Sequence, residues 1–190
     1  MHIISGDYRG RKINTIKDKD LRPTTAQTRE AVFNIITHHD ELPAFTDSNL
    51  TFLEVFCGTA IMSFEAMSRG AKKVILIDRN PRLKPLFEEN ATFLEEKETH
   101  FFIHDVAKLP KALYKANLCF IDPPYQANLE TNTLDSLHQG EWLEEGATVI
   151  LETDKRNEFS IPSNYKVVIE KKYGKSKLLF LQYSQTLQQA

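Results

Sequence analysis

The sequence predicts a Rossmann-like, doubly wound α/β sheet, mostly parallel, with a C-terminal antiparallel hairpin at one edge and a small N-terminal extension. Three observations predict it. Five short runs between residues 52 and 152 are apolar at nearly every position instead of every second one, which suits parallel strands covered by helices on both faces. Segments with helical spacing separate them, as Ala60, Phe64 and Met67 do. Finally, two apolar runs flank Tyr173-Gly174-Lys175 at the spacing of a hairpin.

Taken in chain order, Ile3-Ile4 and Lys12-Ile13 form a short ribbon around a turn from Gly6 to Gly10. Thr24 and Gln27 form a capping box that starts a helix through Ile36, with Val32, Ile35 and Ile36 facing inward. The segment from Pro43 to Asn49 reads as a linker. Residues 1–45 therefore form an N-terminal extension and residues 46–190 the main domain. Strands are expected over 51–56, 74–77, 101–103, 118–121 and 147–151, and Gly70 stands where the first crossover helix would be capped. Residues 166–169 and 178–181 make the hairpin, and there are no internal repeats.

At 190 residues and 41% apolar, the chain is long enough for one domain with a substantial core. A net charge of −2 does not advertise a nucleic-acid binder, but the charge is uneven. Residues 1–30 carry seven Lys/Arg against four Asp/Glu, or +3, which leaves −5 for the remainder, and four lysines fall between 171 and 177. A basic face on an acidic body follows. No apolar run approaches the roughly 18 residues of a membrane span, and the N-terminus lacks a signal-type apolar core, so a soluble, cytoplasmic monomer is expected. Cys57 and Cys119 are too few for a disulfide framework and read as small buried residues. His100 and His104 lie roughly 13 Å apart along a strand, too far to share an ion, and no metal is expected.

The acids carry the functional signal. Open α/β sheets bind ligands at the carboxyl ends of their strands. Glu54, Asp78, Asp105 and Asp122 fall at or just inside four such ends. Glu54-x-x-x-Gly58 carries the tight strand-to-helix turn of a nucleotide site, and Asp78 is spaced to accept from ribose hydroxyls. A dinucleotide site wants three glycines to admit a pyrophosphate, whereas here Gly58 is followed by Thr59-Ala60. S-adenosylmethionine has no phosphate, and its cationic groups favour acids near the turn, so it is the expected cofactor.

Asp122-Pro123-Pro124-Tyr125, directly after an apolar strand, looks like the catalytic loop of enzymes that methylate planar exocyclic nitrogens. Such a nitrogen delocalises its lone pair into the ring and is a poor nucleophile until acceptors draw it toward tetrahedral geometry. Asp122 and a backbone carbonyl can accept its two N–H bonds, the prolines fix φ and so aim those acceptors, and Tyr125 offers a stacking face for an extruded base.

The resemblance runs through most of the chain. Gly6 to Lys12, Arg22-Pro23-Thr24-Thr25 and Arg29 to Asn34 are similar to the N-terminal segment of the RsmD-type 16S ribosomal RNA guanine-N2 methyltransferases. Leu53 to Thr59, Glu65 to Ala71 and Asp122 to Tyr125 resemble that family's cofactor turn, first helix and catalytic loop. The resemblance implies a bacterial class I methyltransferase that moves a methyl group from S-adenosylmethionine to the 2-amino group of one guanine in 16S rRNA, free or in an assembling small subunit. It implies a cofactor site at Glu54, Phe56, Cys57, Gly58, Thr59, Asp78, Arg79, Asp105 and Val106, and a catalytic loop at Asp122, Pro123, Pro124 and Tyr125. Arg9, Arg11, Lys12, Arg22, Thr24 and Arg29 would hold RNA around the target base. Glu54 and Ala60 depart from the Asp and second Gly usual in the family's first motif.

Positioning and preorganised acceptors would supply most of the rate enhancement, with no strong general base. Three rival readings stand beside this one. Methylation of another planar nitrogen, adenine N6 or a protein glutamine, uses the same loop. A non-catalytic RNA-binding assembly factor would bind RNA without turnover, and a flavin or nicotinamide enzyme would carry a coloured or dinucleotide cofactor.

Overall fold

The computed structural model describes residues 1–16, 24–39, 42, 43, 45, 49–94, 97–124 and 129–186. Arg22, Tyr125 and most of the expected linker lie outside the described residues. The elements run α1 (Ala26–His38), β1 (Thr51–Val55), α2 (Ile61–Ser68), β2 (Lys73–Asp78), α3 (Leu83–Asn90), β3 (Glu98–Ile103), β4 (Ala116–Ile121), α4 (Glu130–Gln139), β5 (Leu143–Asp154), β6 (Tyr165–Tyr173) and β7 (Ser176–Tyr183).

The seven strands form one sheet in the order β3-β2-β1-β4-β5-β7-β6. The first five strands are parallel and β5, β7 and β6 pair antiparallel, as the apolar pattern predicts. The hairpin inserts its second strand next to β5, so β6 becomes the edge. Alternate side chains divide the core. Phe52, Leu76, Phe120 and Ile150 pack under α1, α2 and α3, while Leu53, Ile77, Ile121 and Leu151 pack under α4. β5 runs three residues past its expected end at Leu151.

Two N-terminal expectations are corrected. The cap of α1 is Thr25, whose Oγ1 accepts from the Thr28 N–H at 3.1 Å, and not Thr24 with Gln27. Val32 and Ile36 are buried as expected, and Phe33 is buried with them, whereas Ile35 is only half-buried. The ribbon pairs His2 with Lys12, one residue off the expected alignment. Ile3 and Ile13, 2% and 0% exposed, belong to the same core cluster as the sheet, so the extension has no separate core.

Among the described residues no helix is long and apolar enough to cross a membrane, and no group of acids, histidines and cysteines is arranged to hold a metal.

Candidate active site

β1 leads into Phe56-Cys57-Gly58-Thr59-Ala60 and then α2. Three of these five residues have left-handed φ: Phe56 at 58°, Gly58 at 52° and Ala60 at 58°. That conformation suits Gly58 but costs about 1–2 kcal/mol at each of the other two, and such strain collects where backbone must approach a ligand. Ala60 is the helix N-cap and has no side-chain acceptor to offer. Glu54 supplies the acceptor from β1: its Oε2 takes the Ser63 N–H at 2.8 Å and the Ser63 hydroxyl at 2.5 Å. The carboxyl expected to face the cofactor's cationic groups is thus turned into the first turn of α2, where the helix end favours negative charge. Glu54 is 3% exposed, and burial pushes its carboxyl up to about 7 against the opposing pull of Ser63.

Asp78 closes the turn from the neighbouring strand. Its Oδ2 accepts from the Gly58 N–H at 3.0 Å and its Oδ1 from the Asn80 N–H at 2.9 Å. A carboxylate has about four acceptor positions, so roughly two remain for hydroxyl groups of a ligand. Cys57 and Val106 are buried, Thr59 is nearly so, and Phe56 is half-buried. Arg79 and Asp105 are exposed, and Asp105 Oδ1 accepts from the Ala107 N–H at 3.0 Å, capping a short 3-10 turn. Burial raises both cysteine thiols well above their ordinary range, so neither is a ready nucleophile.

Asp122 follows β4 and is half-buried, Pro123 is buried and Pro124 exposed. The far side of the loop is anchored by a residue the sequence pattern does not single out. Glu130, 4% exposed in the first turn of α4, accepts from the Thr153 hydroxyl and the Asn157 amide, both at 2.6 Å. These bonds tie the start of α4 to the end of β5. Glu152, equally unexpected, is a second buried acid at that strand end, 5% exposed.

The six residues expected to grip RNA divide. Arg9, Arg11 and Lys12 are exposed on the ribbon, with the Arg11 guanidinium 4.0 Å above the Phe93 ring. Thr24 is half-buried. Arg29 is a correction: it is 4% exposed and donates to the carbonyls of Thr24 at 3.0 Å and His2 at 3.1 Å, with Glu65 at 3.6 Å. A guanidinium committed to internal partners is a structural brace and cannot clasp a phosphate from solvent. The ribbon also docks far from the catalytic loop. α2 runs back from the carboxyl ends of the strands over eight residues, about 12 Å. At its last turn Ser68 receives the Asp7 N–H on its carbonyl at 2.7 Å and the Tyr8 N–H on its hydroxyl at 2.9 Å. Gly6, at φ 83°, passes so close that a Cβ there would stand 1.8 Å from the Ser68 carbonyl oxygen.

The donor set around the turn is backbone amide and carboxylate, with a single glycine. That fits a phosphate-free nucleoside cofactor such as S-adenosylmethionine better than a pyrophosphate.

Comparison with known proteins agrees with this geometry. The family model described as conserved hypothetical protein 95 matches residues 1–182. The ribosomal RNA small subunit methyltransferase D of Haemophilus influenzae is 30% identical over 179 residues, covering 92% of this chain and 89% of that protein. Its Escherichia coli counterpart is 28% identical over 176 residues, covering 92% and 85%. The solved structure of a candidate methyltransferase from Escherichia coli superposes with a TM-score of 0.79 at 26% identity, covering 98% and 99% of the two chains.

Proposed function

The chain belongs to the conserved hypothetical protein 95 family, and from that premise we propose that it methylates the exocyclic N2 of a guanine in 16S ribosomal RNA, with S-adenosylmethionine as cofactor. The observation that carries the reading is that Asp122, with its two prolines, stands two strands from Asp78 at the same carboxyl edge, with the strained turn of β1 between them. The likeness to ribosomal RNA small subunit methyltransferases over nine-tenths of the chain supports the substrate class.

S-adenosylmethionine supplies the electrophilic methyl group when bound. Asp78, held by the amides of Gly58 and Asn80, offers its remaining acceptor positions to ribose hydroxyls. Glu54 fixes the first turn of α2 and with it the backbone of the turn. Asp122 accepts one N–H of the guanine amino group and a backbone carbonyl of the Asp-Pro-Pro segment accepts the other. Both bonds grow stronger as the nitrogen becomes tetrahedral and positive, and so favour the transition state over the ground state. The surplus proton leaves late, to Asp122 or to water. Tyr125 stacks on the extruded base, and Arg9, Arg11 and Lys12 bind phosphates at the ribbon, more than one nucleotide from the target.

The test is to incubate the protein with methyl-labelled S-adenosylmethionine and, separately, DNA, ribosomal RNA and small-subunit particles from a strain lacking it. Labelled N2-methylguanosine in the small-subunit RNA is expected. Label in N6-methyladenosine, or cofactor binding with no labelled nucleoside, overturns the reading.

A further inference from the structure

A fourth acid shares the level of the catalytic aspartate. Glu54 pairs with Leu76 of β2 and Phe120 of β4, and Phe120 with Ile150 of β5. Two residues further along those parallel strands come Asp78, Asp122 and Glu152. By the alternation of side chains they stand on the face that buries Leu76, Phe120 and Ile150. The antiparallel pairing of Glu152 with Leu178, which packs in that same cluster, fixes the face for Glu152 independently. In β1 the corresponding residue is Phe56, at the start of the turn. Across the sheet the sequence of positions is therefore Asp78, Phe56, Asp122, Glu152.

We infer that Glu152 selects the target base by accepting the guanine N1–H, an inference that rests on the guanine-N2 reading above. The cofactor turn lies on the β1 side of Asp122, so a base whose amino nitrogen is held at Asp122 with its methyl-accepting side toward the turn extends over β5. Adjacent strands are about 4.8 Å apart. In guanine N1–H lies beside the 2-amino group on the same edge of the ring, so it falls toward the next strand, where Glu152 stands. Adenine and cytosine carry a lone pair at the ring nitrogen beside their amino group, and a carboxylate repels it. The loop Asp122-Pro123-Pro124 is blind to that difference, since it reads only an amino group. Glu152 supplies the discrimination, and its burial strengthens it, because an acceptor removed from water and facing a lone pair has no solvent to turn to.

The test uses a synthetic small-subunit RNA fragment carrying the modified guanine, and the same fragment with 2-aminopurine at that position. 2-Aminopurine keeps the 2-amino group but has a lone pair at N1. Wild type is expected to favour guanine by about 100-fold or more in kcat/KM. Glu152→Gln, nearly isosteric and able to donate its amide N–H, is expected to bring the ratio within a few-fold of unity while cofactor Kd stays unchanged. A purely structural role for Glu152 would lower both rates together and leave the ratio as it was, which overturns the inference. If the variant does not fold, wild type decides alone: 2-aminopurine methylated as well as guanine overturns it. Absence of N2-methylguanosine from wild type overturns the guanine-N2 reading and this one with it, whereas N2-methylguanosine without the expected ratios overturns only this one.

Discussion

The two ends of α2 are each held by a buried glutamate, but in opposite ways. At the front, Glu54 reaches in from β1 and is satisfied by the amide and hydroxyl of Ser63. At the back, Glu65 belongs to the helix itself, accepts the Ile4 N–H at 2.7 Å and lies 3.6 Å from both Arg29 and Arg69. Burial pushes both carboxyls above their ordinary range. Only the rear one has guanidiniums to hold it ionised, and desolvation lowers theirs in turn. The difference separates a joint from a hinge pin. The rear cluster welds the N-terminal segment to the sheet, while the front one positions the cofactor turn and remains sensitive to pH and to any cation brought near it.

Glu65→Ala breaks the comparison at its stronger end. It leaves Arg29 and Arg69 facing each other with no carboxylate, and removing one member of a buried ionic cluster costs about 3–5 kcal/mol. Urea unfolding should show that loss. A change below about 1 kcal/mol would mean that the cluster is incidental to the N-terminal docking.

The front end should respond to pH. Glu54 has a folded-state value of about 7 against an ordinary 4.5, so the folded protein binds its proton more tightly than the unfolded chain. The stabilisation this proton gives is complete below about pH 4.5 and is lost as pH rises through about 7. Across that window the stability of wild type relative to Glu54→Gln, which cannot titrate, should fall by about 3 kcal/mol. Parallel stability curves for the two proteins would show that Glu54 is ionised in the fold throughout.

A smaller effect separates binding from the fold. Replacing Arg9, Arg11 and Lys12 together by Ala removes exposed charge from the ribbon without touching either glutamate. Each cation withdrawn from a phosphate should flatten the slope of log RNA affinity against log salt by about 0.7–0.9, so three should flatten it by about 2–3. Cofactor affinity should not move, because the ribbon meets α2 at the end remote from the turn. An unchanged slope would mean that these side chains do not touch RNA.

Much of the front end is legible in the sequence and little of the rear. Strands apolar on nearly every residue announce themselves, and an acid at the end of such a run needs no knowledge of what packs on it. Glu54, Asp78 and Asp122 stand out in this way. Glu152 does not, because the fifth apolar run ends at Leu151 and the polar residues that carry β5 onward look like a loop. Arg29 misleads for another reason. In an N-terminal segment of net positive charge, an arginine resembles any surface cation, and the glutamate that buries it lies 36 residues away in a helix whose docking no local pattern encodes. The cap of α1 is displaced by one residue from its expected place because Thr24 and Thr25 are equally good caps, and only the tertiary position of Thr28 decides between them.

The claim on which the rest depends is that Asp122 acts on the reacting nitrogen and not on the cofactor. Cofactor affinity by calorimetry and methyl transfer to small-subunit RNA, measured side by side for wild type and Asp122→Ala, test it directly. The predicted result is a cofactor Kd within a few-fold of wild type and a turnover lower by about 10²–10³, the loss expected when one preorganised transition-state partner is removed. Turnover within a few-fold of wild type, or a collapse of cofactor affinity that accounts for the whole loss, would contradict it.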